Sequence, residues 1–202
     1  MIMIYGNILA IFINKKMTNT KKIIGLRVHI SMSVGLGHFS RLENLASNLN
    51  QKVFWLVSGD INLIKKCLSK KKFFYIKHGD NKKSQILEFL KNKKINKIIV
   101  DLGYISNLKK GNIYRILNFY LKNKLKLISF DDARQKRNLS HISIISGLDK
   151  KKYFFNSKES KIFYGKEYNF SIKTKKIYKR SKFYQEVKNI FISISGTDQK
   201  DL

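Results

Sequence analysis

Short runs rich in Ile, Val and Phe recur along this chain, each followed by a segment with apolar residues at helical spacing. That alternation restricts the fold more than any other feature. The runs are Ile23–Ile30, Val53–Val57, Phe73–Ile76, Ile98–Asp101 and Leu125–Phe130. Between them, Leu42, Leu45, Ala46 and Leu49 mark one amphipathic helix, and Ile61, Ile64 and Leu68 mark a second behind the capping residue Asp60. Ser84–Leu90 predicts a third helix, and Ile113, Ile116, Leu117, Tyr120 and Leu121 a fourth. Strands alternating with helices at this spacing predict an α/β fold, a Rossmann-like doubly wound parallel sheet with helices on both faces. Ile142–Ile145 predicts a further short strand, and Asn189–Asp198 a strand followed by a glycine turn.

The first unit carries the most chemistry. Ile23–Ile30 leads through Val34-Gly35-Leu36-Gly37 into a helix that begins near His38 and carries Arg41 one turn on. A strand, a glycine turn and a helix N-terminus make a pocket for an anion, because the free N–H groups and the helix dipole point into it. Gly35 and Gly37 allow positive φ and the close approach of a ligand. The positive end of the helix dipole disfavours imidazolium at His38, and a neutral imidazole is what a general base needs. Arg41 lies on the same helical face, placed to brace His38 or to reach a phosphate. A dinucleotide fingerprint is the rival reading: Gly35 and Gly37 match its first two glycines and Asp60 its ribose acid, but Ser40 takes the third glycine position. His38 tips the balance away from a redox cofactor, and no cofactor or metal is expected.

Ligands on such sheets sit beyond the carboxyl ends of the strands. That rule gathers His38, Asp101, Tyr104, Asp131 and Asp132 on one edge. Strand-end acids can orient a histidine, bind a sugar hydroxyl or cap the next turn.

Charge sets the expected partners. The net charge is +29, yet Arg occurs only at positions 27, 41, 115, 134, 137 and 180, so scattered Lys carries nearly all of it. Absent Pro and abundant Ile and Asn point to an AT-rich coding bias, with the lysines on solvated helix faces. A nucleic-acid reader would use Arg interleaved with aromatics, so no specific nucleic acid is expected, only salt-sensitive attraction to polyanions. A hydrophobic content of 43% is enough for a core. The single Cys67 excludes an internal disulfide, sits on a helical pattern as a core residue, and suits a reducing cytoplasm. Ile8–Ile13 is too short an apolar run to span a bilayer. Met17 is the more natural start, so residues 1–21 read as an extension or mis-start.

Arg27 followed by Val34-Gly35-Leu36-Gly37-His38 and Arg41 resembles the opening of the nucleotide-sugar hydrolases of pseudaminic acid biosynthesis. These remove UDP from a diacetamido-trideoxy hexose and are relatives of two-domain glycosyltransferases of the GT-B type. Ser129-Phe130-Asp131-Asp132 is similar to the family's Asp-Asp strand end, Asp101 to the acid that opens its Asp-His-Tyr segment, and Gly165–Tyr168 to a substrate-side loop; His29 stands where the family's first strand carries Asp. Ser195-Gly196-Thr197-Asp198 resembles the turn that opens the second domain. The resemblance implies a Rossmann-like N-terminal domain over residues 22–172, a linker over 173–188, and the first strand of a second domain from 189. It implies His38 as the catalytic residue, acting on water. Gly35, Gly37, Arg41, Asp101, Tyr104, Asp131, Asp132 and Tyr168 would contact a UDP-sugar substrate, with the nucleotide held by the second half, which a separate gene could encode.

Overall fold

The computed structural model describes residues 23–77, 83–102, 111–130, 140–145 and 161–164. Strand β1 (Ile23–Ile30) is buried almost throughout, as expected of a parallel strand covered by helices on both faces. Beyond it the chain builds α1 (Gly37–Ser47), β2 (Val53–Gly59), α2 (Ile61–Cys67), β3 (Phe73–Tyr75), α3 (Lys83–Asn92), β4 (Ile95–Asp101), α4 (Gly111–Lys122), β5 (Lys126–Phe130), β6 (Ile142–Ile145) and β7 (Lys161–Tyr164). All seven strands pair in parallel, in the order β3-β2-β1-β4-β5-β6-β7. This is the doubly wound, Rossmann-like α/β sheet that the alternation predicts, with its order reversing between β1 and β4.

Side chains two apart on a strand share a face. Ile24, Leu26, Val28 and Ile30 therefore pack under α1 and α2, against Phe39, Leu42, Leu45, Ile64 and Leu68. On the opposite face Leu56, Ile98, Val100 and Leu127 meet α3 and α4 through Ile86, Leu90, Leu117 and Tyr120. Gly25 lies on that second face, where an added Cβ would come within 2.9 Å of Leu56.

The turn between β2 and α2 follows from two residues. Gly59 has φ +122°, and a Cβ there would lie 1.9 Å from the Ile30 carbonyl oxygen. Asp60 then caps α2, its carboxylate accepting from the Asn62 and Leu63 amides at 2.8 and 3.2 Å. Among the described residues no helix is long and apolar enough to cross a membrane.

Three details depart from the sequence reading. Lys161–Tyr164, not expected as a strand from the sequence, is the edge strand β7, paired to β6. Its brevity and leading lysine suit an edge and conceal the strand from periodicity. Cys67 is only partly buried, at the margin of the α1/α2 core, because α2 ends there. Gly37 does not have the positive φ expected of it; it is the first residue of α1. Tyr104, Asp131, Asp132 and Tyr168 lie outside the described residues, as do 1–22, the 173–188 linker and the 189–202 strand.

Candidate active site

The strand order reverses between β1 and β4, the position beside which open α/β sheets bind their ligands, and two elements deliver side chains to the carboxyl ends of these strands. One is the turn after β1. The Val34 and Gly35 amides donate to the Ser31 carbonyl at 3.3 and 3.1 Å, and Gly35 takes φ +77°, turning the chain into α1 within a few residues. No side chain caps the first turn of α1 and no acid sits in it. An ideal Cβ on Gly37 would meet nothing within 4 Å, so the space before this helix end is open. The other element is β4, which ends at Asp101 in register with Val28 of β1.

His38, Arg41 and Asp101 converge there. Asp101 has no exposed side-chain surface. Its Oδ1 lies 2.7 Å from Nδ1 of His38 and accepts from Nη2 of Arg41 at 2.8 Å. Its Oδ2 accepts from Nε of Arg41 at 2.6 Å. The paired, planar contact of guanidinium on carboxylate fixes the acid in one orientation. The Arg41 guanidinium also lies over the Phe130 ring, 4.9 Å from its centre, which braces it from the β5 side.

The hydrogen-bond roles follow from chemistry. An ionised carboxylate can only accept, so Nδ1 of His38 carries the proton and donates to Asp101. The 3.2 Å approach of Arg41 Nη2 to the same Nδ1 is then two donors side by side, both aimed at Oδ1. In the neutral ring this tautomer leaves the lone pair on Nε2. The His38 side chain keeps 24% of its surface exposed, so the ring is held on one side and accessible on the other.

The sequence reading places Asp101 and Arg41 among the substrate contacts, and the structure gives them another arrangement. Asp101 is fully enclosed and cannot touch a solute. Arg41, 13% exposed, directs two of its nitrogens at Asp101. Gly35 lies in the turn before α1 and Gly37 opens the helix, and only Gly35 needs its conformational freedom.

A second polar group escaped the sequence reading. On the α3/α4 face Arg27 is buried, donating to the carbonyls of Val28 and Leu56 at 2.6 and 3.4 Å and to Ser58 Oγ at 2.9 Å. The same Oγ is hydrogen-bonded to His29 Nδ1, 3.0 Å away, with the donor set by the imidazole tautomer. The Tyr120 hydroxyl stands beside the guanidinium; burial lowers the Arg27 pKa and raises that of Tyr120, each opposed by the other's presence. Arg27 Nε is buried without a partner among the described residues. The signal was available: Arg27 and His29 are two apart in an otherwise apolar strand, hence on one buried face.

No family model and no curated protein matches this chain. The functional reading therefore rests on the motif and on the geometry just described.

Proposed function

We propose that this domain carries the catalytic base of a nucleotide-sugar hydrolase, the N-terminal half of a GT-B-type enzyme releasing UDP from a diacetamido-trideoxy hexose in pseudaminic acid biosynthesis. The observation that supports it most is the His38–Asp101–Arg41 cluster, with an accessible imidazole at the strand-order reversal. In the reaction a water oxygen attacks the anomeric carbon while the bond from that carbon to the diphosphate oxygen breaks. UDP leaves with the bonding electrons, and the proton of the attacking water passes to Nε2 of His38. Asp101 holds the ring in the required tautomer and stabilises the imidazolium as it forms, and Arg41 keeps Asp101 in place. The open first turn of α1 offers its amides to a phosphate oxygen.

The test is product analysis on UDP-sugars, following free UDP and free reducing sugar together. His38→Ala should lower UDP release by a factor on the order of 100 or more, the contribution of a positioned base. Undiminished turnover in this variant removes the base assignment. UDP released only in step with sugar appearing on an added acceptor identifies a glycosyltransferase instead. Helix α1 supplies the base, and the nucleotide contacts are assigned to a second lobe, so a separately produced C-terminal half should raise turnover when added in trans.

A further inference from the structure

A cavity of about 400 Å³ opens at the other end of the sheet, where β2 begins and α1 ends. Its origin is a mismatch of lengths. β3 pairs only with Trp55–Val57, so the first residues of β2 have no strand beside them on that edge. Above this gap α1 presents Ala46, whose methyl group cannot fill it. Val53, Trp55 and Ala46 make the walls. Lys52, Lys71 and Lys72 stand around the mouth with a single acid, Glu43, which is paired to Lys71.

The lysines are held in position. Lys71 Nζ lies 5.6 Å from the Trp55 ring centre and 5.7 Å from that of Phe39, and Lys52 Nζ lies 5.5 Å from that of Phe54. Both ammonium groups thus lie over aromatic rings while the residues remain exposed. Among the described residues Lys52 and Lys72 have no carboxylate partner, so the mouth carries two uncompensated positive charges.

We infer that this cavity binds a small anionic amphiphile, a carboxylate carried on an apolar body. The walls offer an apolar body a place out of water, and the volume lies within the range of small-molecule sites. The mouth selects the sign of the head group: a carboxylate meets Lys52 and Lys72, whereas an amine is repelled. The site is independent of the proposed hydrolase chemistry, lying at the opposite ends of the strands from His38.

Octanoate is the probe, with octylamine, octan-1-ol and acetate as matched controls, titrated at low salt into the ¹⁵N-labelled chain and followed by amide shifts. Octanoate should shift Ala46, Ser47, Val53 and Lys71, octanol and acetate should bind at least about tenfold more weakly, and octylamine should leave these amides unmoved. Lys52→Gln with Lys72→Gln, both exposed, should weaken octanoate roughly fivefold without changing the melting midpoint. Ala46→Phe should abolish binding by filling the hollow; should that variant not fold, the lysine pair still decides. The inference is overturned if octylamine or octanol shifts the same amides as strongly, if the lysine variant binds octanoate unchanged, or if these amides do not respond.

Discussion

Replacing Asp101 by Asn removes one charge from the centre of the candidate site and changes its shape very little. In the parent, the carboxylate accepts two hydrogen bonds from Arg41 and one from His38 with no exposure to water. Unit charges about 4 Å apart at an effective dielectric of about 20 attract by roughly 4 kcal/mol. The variant forfeits that attraction at an Arg41 side chain that is only 13% exposed. It also relieves the cost of burying a carboxylate, and the amide oxygen still accepts one bond. Removing one partner of a buried pair costs about 3–5 kcal/mol, so Asp101→Asn belongs at the lower end, about 3 kcal/mol. For a chain of 202 residues that is a fall in melting midpoint of roughly 6–12 °C. Urea unfolding followed by the fluorescence of Trp55, the single tryptophan, reads it directly, since that ring is buried against Phe39 of α1. The control is Asp60→Asn, the same exchange at an exposed helix cap, where the amide caps nearly as well and the change stays within about 0.5 kcal/mol. Arg41→Gln combined with Asp101→Asn should show a coupling of at least about 1.5 kcal/mol. A loss below about 1 kcal/mol for Asp101→Asn, or one no larger than the control's, would refute the claim that this pair organises the site.

Three further outcomes follow from single residues. Gly37→Ala should raise stability by about 0.5 kcal/mol in urea unfolding, because its site is open and helical. If a ligand approaches there, the same variant lowers UDP release; unchanged turnover shows that none does. Lys124 holds φ +58° just beyond α4, a conformation costly for any residue with a Cβ, so Lys124→Gly should shift the urea midpoint upward by roughly 0.5–1 kcal/mol. A downward shift would mean that the lysine side chain outweighs its backbone strain. Burial raises the Tyr120 pKa, so above about pH 10 the unfolded chain releases this proton while the folded chain keeps it. The native state then binds more protons, and stability falls as pH rises through that range. Tyr120→Phe should flatten this alkaline limb, and curves that stay parallel to the parent's would show that Tyr120 does not contribute to it.

Strands were legible in this sequence wherever they are buried on both faces. β1, β2, β4 and β5 are continuous apolar runs, and the period of two has nothing to contend with there. Helix starts were legible where chemistry marks them, as at Asp60. Helix ends were not. The residues at positive φ after α3 and α4 are Lys94 and Lys124, where glycine is the usual signal. A composition biased toward lysine removed the punctuation but left the conformation, held by Lys94 N–H to the Lys91 carbonyl and Lys124 N–H to that of Leu121. β7 was hidden for a different reason: a four-residue edge strand needs only one apolar side, and Lys161 opens it. In the candidate site, His38 and Arg41 were visible because one helical turn separates them. The sequence also gathers Asp101 with His38 on one sheet edge, but which of the strand-end acids meets the ring depends on β4 lying beside β1.

That adjacency also gives the two histidines near β1 different surroundings. His29 and His38 both stand near the carboxyl end of β1, and both have a ring nitrogen bonded to a neighbour. His29 is 5% exposed and bonded to Ser58 beneath the α3/α4 face, beside a guanidinium. A proton taken up there would add positive charge next to Arg27. His38 has the opposite surroundings: a buried carboxylate on one nitrogen, an arginine directed at that carboxylate, and a quarter of its surface open. Only the second arrangement can take up a proton during a reaction at tolerable electrostatic cost and pass it back to solvent. The two faces of one sheet edge thus give a cation two different settings, and the one with an acid in it is where a base can turn over.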